Sequence, residues 1–185
     1  MTYKLIRSAR KTLAMEMNAE GLIDRVPYRA SKKKIETFIR DHEEWICTNT
    51  EKLNRALKAQ NGLERLTQED IHRLAEEARQ VIPSRVSYYA QKLGVTYGRI
   101  TIRKQKTRWG SCSTKGNLNF NCLLMLAPPE VLDSVIVHEL CHRKEMNHSS
   151  RFYAEVLWVF PDYLKWNKWL KENGLAIMSR AFSLK

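Results

Sequence analysis

The chain has 185 residues, 43% of them hydrophobic, and a formal net charge of +12. That length and apolar content suit one compact domain, with or without a small N-terminal subdomain. No apolar run approaches a membrane span, and the four cysteines, Cys47, Cys112, Cys122 and Cys141, have neither disulfide nor zinc-knuckle spacing, so free thiols in a reducing compartment are the simplest account.

The first residues, Met1-Thr2-Tyr3-Lys4, lack the charged-then-apolar pattern of a secretory leader, and the expectation is a cytoplasmic protein with no membrane partner. Residues 3 to 30 read as short strands, with Asn18-Ala19-Glu20-Gly21 as the turn of a β-hairpin or meander. Ser31 then caps a helix carrying Ile35, Phe38, Ile39, His42 and Trp45-Ile46 on its apolar side, which makes His42 a packed residue rather than a ligand. Gln60-Asn61-Gly62 reads as a hinge, dividing an N-terminal hairpin-and-helix region (1–62) from the rest (63–185). Thr67 opens a second helix, kinked at Pro83 and ending at Gly94. Arg99–Arg103 and Asn117–Asn121 alternate as half-buried strands and are expected to pair. Thr107–Gly116 between them reads as a turn-rich loop.

Pro128-Pro129-Glu130 is a helix start, with proline at the first turn and an acid at the positive dipole end. The apolar positions from Val131 to Leu140 surround most of this helix, so it is buried on nearly every side. At its end stands His138-Glu139-Leu140-Cys141-His142, with His148 following. Side chains four apart on a helix lie one above the other, so His138 and His142 can converge on one cation. Glu139, one step round, projects beside that cation as a proton acceptor. His148, arriving after the helix, completes three ligands and leaves a fourth position open. Cys141 reads as a small buried thiol filling a motif position. Ser149-Ser150 caps a further helix bearing Phe152, Val156 and Phe160. Pro161-Asp162 breaks it, and a last helix carries Tyr163, Trp166 and Leu170 to an end at Gly174. Phe152, Trp158, Trp166 and Trp169 are expected in the core.

Thr107-Arg108-Trp109-Gly110-Ser111-Cys112-Ser113, then Gly116-Asn117-Leu118-Asn119-Phe120-Asn121, then the histidine motif with Asn147-His148, resemble the YgjP-like family of bacterial metal-dependent hydrolases, part of the zincin group of metallopeptidases. The similarity runs from about Arg7 to about Gly174. The histidine spacing also equals that of metzincins, but Glu145 stands in place of their glycine and no clear Met-turn follows, Met178 being a poor candidate. The resemblance implies an α+β fold: a zincin-like catalytic domain whose small antiparallel sheet packs against the motif helix. It implies His138, His142 and His148 as metal ligands and Glu139 as catalytic acid/base. Zincins often bind a peptide along an edge strand above that helix, and Asn117–Asn121 is the counterpart here. Trp109–Ser113 reads either as a cleft wall or as a packed tryptophan with a tight turn.

Three neutral imidazoles suit zinc first, with nickel, cobalt or manganese as alternatives. The expected reaction is attack of activated water on a peptide carbonyl, with a peptide or unfolded protein as substrate. Arg108, Trp109, Gly110, Ser111, Asn119, Asn121 and Tyr153 are the candidate substrate-binding residues. Two other readings compete. Five basic residues between Arg99 and Arg108 could hold the phosphates of a nucleoside triphosphate undergoing phosphoanhydride hydrolysis, although three neutral ligands suit magnesium-nucleotide chemistry poorly. The same charge could dock a DNA-associated metalloprotease on nucleic acid, whereas Lys32-Lys33-Lys34 reads as solvated surface. The sequence sets no oligomeric state.

Overall fold

A computed structural model of the protein describes residues 4–18, 21–59 and 64–182. The hinge expected at 60–62 and part of the turn at 18–21 lie outside the described residues. Strands β1 (Lys4–Ser8), β2 (Ala14–Asn18) and β3 (Gly21–Pro27) form one sheet in the order β1-β3-β2. β2 and β3 make the expected hairpin, while β1 runs parallel to β3. Leu22, Ile23 and Val26 of the central strand are buried.

Helix α1 (Lys32–Asp41) is capped by the Ser31 hydroxyl, which accepts from the Lys34 N–H at 3.3 Å. Helix α2 (Glu43–Ala59) follows after a break at His42. Contrary to expectation His42 is exposed, its Nδ1 hydrogen-bonded to the Phe38 carbonyl at 2.8 Å. α2 packs on β2 and β3 and on the C-terminal helix.

Helix α3 (Gln68–Leu93) begins with a reciprocal cap in which the Thr67 hydroxyl accepts from the Asp70 N–H and the Asp70 carboxylate accepts from the Thr67 N–H. It runs unbroken through Pro83 to left-handed Gly94. Leu74, Ala78, Ile82, Val86 and Leu93 carry one buried face across the proline, and that shared packing offsets the hydrogen bond Pro83 cannot donate.

The second sheet has β4 (Ile100–Arg103), β5 (Gly110–Cys112) and β6 (Leu118–Asn121) in the order β4-β6-β5. β4 and β6 pair as expected, in parallel, while β5 is antiparallel to β6, so the sheet is mixed. Two expectations are corrected. The loop 107–116 contains a strand, and Asn117–Asn121 supplies the central strand, not an edge. The outer strands are β4 and β5.

A 3-10 turn (Cys122–Leu126) leads to α4 (Pro129–Cys141), followed by α5 (Ser150–Val159), capped by Ser149, and α6 (Tyr163–Ala181). Nine of the thirteen α4 residues are buried, as its all-round apolar pattern requires. Gly174 does not end α6. It lies against the Trp109 indole, where a β-carbon would approach Cζ2 to 3.0 Å. Trp158 is 70% exposed rather than in the core, whereas Phe152 is fully buried and Trp166 and Trp169 pack at its margin. All four cysteines are free. Among the described residues no helix is long and apolar enough to cross a membrane.

Candidate metal centre and cleft

His138 lies in the last turn of α4, His142 immediately follows its final residue, and His148 sits two residues before α5. Their ligand atoms all lie within 4.8 Å of one another. The three imidazole centroids are mutually 4.9 Å apart, and the Phe152 ring stands 4.8–4.9 Å from each of them. Phe152 is thus a common buttress for the trio.

Two of the three outer ring nitrogens are engaged. His142 Nδ1 donates to the Glu145 carbonyl at 3.1 Å, which leaves its Nε2 with a free lone pair. His138 Nδ1 bonds the buried Tyr163 hydroxyl at 2.8 Å. Burial first, then the neighbouring imidazoles, push the His138 pKa down to about 4, and burial also lowers that of His142. Both are therefore neutral near pH 7, as ligation requires. His138 Nε2 and His148 Nε2 are 3.1 Å apart, close to the ~3.3 Å between two nitrogens on one tetrahedral cation. Donor type and spacing fit a divalent ion.

Glu139 is 6% exposed and points between the motif helix and β5. The Cys112 N–H donates to its carboxylate, and Arg108 is close enough to favour the charged form. Burial outweighs both and pushes the pKa up to about 8. Gly110 makes this fit: a β-carbon there would stand 2.6 Å from Glu139 Oε1.

A cleft of about 190 Å³ opens beside these groups. Arg108, Trp109 and Gly110 form one wall, Ser134, Val135, His138 and Glu139 of α4 the floor, and Tyr163, Asn167 and Leu170 of α6 the other wall. The remaining substrate candidates lie elsewhere. Ser111 is tied to Asn119, whose amide donates to its hydroxyl at 3.1 Å. Asn121 is fully buried and spends its amide on the Gln105, Arg108 and Leu123 backbone, so it shapes the loop instead of facing the cleft. Tyr153 is 37% exposed with its ring 6.4 Å from that of His148. Sequence reasoning missed Tyr163 and Phe152 as supports of the histidines and took both for ordinary apolar-stripe residues. No local pattern ties residue 163 to residue 138.

A cleft with three convergent imidazoles and a buried carboxylate suits a metallopeptidase, and the YgjP-like metallopeptidase domain model matches residues 54–173, about two thirds of the chain. The chain belongs to the YgjP-like family and is a metal-dependent hydrolase. Among solved structures it is similar to the zymogen of abylysin from Pyrococcus abyssi, 23% identical over 49% of this chain and 93% of that one, with a TM-score of 0.45. It is also similar to the zymogen of jannalysin from Methanocaldococcus jannaschii, 24% identical over 49% and 95%, with a TM-score of 0.41. No curated protein matches the chain.

Proposed function

We propose that this chain is a zinc peptidase in which His138, His142 and His148 hold the ion and Glu139 is the acid/base. The observation that carries the reading is the convergence of three imidazoles beside a carboxylate pinned by Gly110 and Cys112. Zinc is favoured over nickel, cobalt or manganese by a donor set made of three histidines, which would leave one position for water or substrate.

When bound, the ion acidifies water and polarises a substrate carbonyl. Glu139 takes the proton of the water that attacks the carbonyl carbon and returns it to the leaving amide nitrogen as the C–N bond breaks. Arg108, on the cleft wall, and Tyr153, beside His148, are the candidate donors to the developing oxyanion. Because β6 is central, an extended substrate pairs instead with the outer strand β5, whose Gly110 and Cys112 already contact Glu139.

The test is a panel of peptides, an unfolded protein and nucleoside triphosphates, with Glu139→Gln as control. Cleavage of peptides by the wild type, and none by a variant that retains its zinc, is expected. Hydrolysis of nucleotides alone would instead support the phosphoanhydride reading, for which Arg108 in the cleft wall is the one favouring observation.

A further inference from the structure

The sheet beside the metal centre has a second outer strand, β4, on the far side of β6 from β5. The Leu118 N–H donates to the Arg99 carbonyl at 2.9 Å, which sets the parallel ladder between β4 and β6. In that ladder Arg99, Thr101 and Arg103 turn their backbone groups towards β6, while Ile100 and Ile102 turn theirs outwards. Among the described residues no strand pairs with that outer side. A groove of about 420 Å³ runs along it, lined by every residue from Arg99 to Arg103 and, on α3, by Arg79 and Pro83.

Both walls of the groove carry unused backbone groups. Pro83 has no N–H to give the Arg79 carbonyl one turn back, so the helix wall adds an acceptor that its own ladder does not use. The side chains divide by strand alternation. Ile100 and Ile102 pack against the core, which leaves Arg99, Thr101 and Arg103 on the opposite face. Arg79 is paired with Glu76 and adds no free charge. Arg99 and Arg103 are exposed and have no acidic partner among the described residues. Four positions apart, they stand about 13 Å from each other along the strand.

We propose that this edge docks an extended acidic peptide segment, added beside β4 as a further strand. Backbone bonds to Ile100 and Ile102 hold it. Its side chains alternate as those of the sheet do. Residues at i and i+4 therefore face Arg99 and Arg103, and those at i+1 and i+3 face Pro83 and the core side. The pattern that fits is acid, apolar, any residue, apolar, acid. Free amide and carbonyl groups along the groove select a peptide over a phosphodiester chain, which has no such ladder to complete. The dock stands apart from the metal centre and requires no turnover there.

The experiment uses the full chain, zinc-loaded and carrying Glu139→Gln so that no probe is cleaved. The probes are fluorescent peptides with the cores Glu-Val-Thr-Val-Glu, Gln-Val-Thr-Val-Gln and Glu-Val-Thr-Glu-Val. Anisotropy at physiological salt should show the first binding about fivefold more tightly than either of the others. Adding Arg99→Gln and Arg103→Gln should bring that ratio near unity. Lys33→Gln with Lys34→Gln, which removes the same charge from a separate depression, should leave it intact. Saturation with the first peptide should slow amide hydrogen exchange at Ile100 and Ile102. Equal binding of the three peptides, a ratio that survives loss of both arginines or falls equally in the lysine control, or unprotected Ile100 and Ile102 amides would each overturn the dock. Displacement of the first peptide by a single-stranded oligonucleotide at lower concentration than by its own unlabelled form would overturn it too, and would make the edge a polyanion site.

Discussion

A β-carbon on Gly110 would stand 2.6 Å from Glu139 Oε1 and 2.7 Å from its Cγ, so the backbone of β5 and the carboxylate of α4 occupy adjoining space that only glycine leaves free. Gly110→Ala must push the carboxylate aside. Displacing a reacting group by about 1 Å costs on the order of 100-fold in rate. The variant should keep its metal content and lose about that much in kcat/KM. Full activity in Gly110→Ala would show that Glu139 tolerates another position.

The Tyr163 hydroxyl fixes His138 through Nδ1. Partners of this kind typically contribute 10- to 100-fold in metal affinity. Tyr163→Phe should weaken zinc binding by about that factor in competition against a chelating indicator. An unchanged affinity would reduce Tyr163 to a packing residue.

Phe152 touches all three imidazoles and is fully buried, so truncation both empties core space and frees the three rings. Phe152→Ala should cost about 3–5 kcal/mol in urea unfolding of the metal-free protein. In the wild type, zinc at about 100 times its Kd should add ~2.7 kcal/mol, a gain that His142→Ala abolishes.

Asp70 supplies a pH dependence remote from the site. Hydrogen bonds from the Thr67 backbone and hydroxyl, then Arg73, hold its carboxyl below the ordinary carboxylate range. The unfolded chain therefore binds this proton at higher pH than the folded one. The stabilisation is complete above the unfolded pKa and lost as pH falls through the lowered folded value. Melting curves from pH 7 downward should show Asp70→Asn less stable at neutrality and converging on the wild type in acid. Parallel curves would rule out a role for this ionisation.

The parts of the site legible in the sequence are those that local geometry fixes. The spacing of His138 and His142 needs only one helical turn, and His148 follows within six residues. What escaped depends on distant packing. β5 is three residues long and carries no alternation to read, so its place at the sheet edge, and with it the central position of β6, could not be inferred. Gly174 reads as a helix end because glycine usually is one, yet here it makes room for Trp109. Asn121 looks like a cleft residue beside Asn119, but it stands at the end of β6, where its buried side chain caps the 3-10 turn.

The contact between Gly174 and Trp109 bears on how a working fragment could be trimmed. The family match stops at residue 173, while α6 continues to Ala181 and the Arg180 carbonyl accepts from the Leu66 N–H at 3.0 Å. A version cut at that boundary would retain every histidine of the motif yet lose the bracket behind the indole. Its cleft would be left with an unsupported lip.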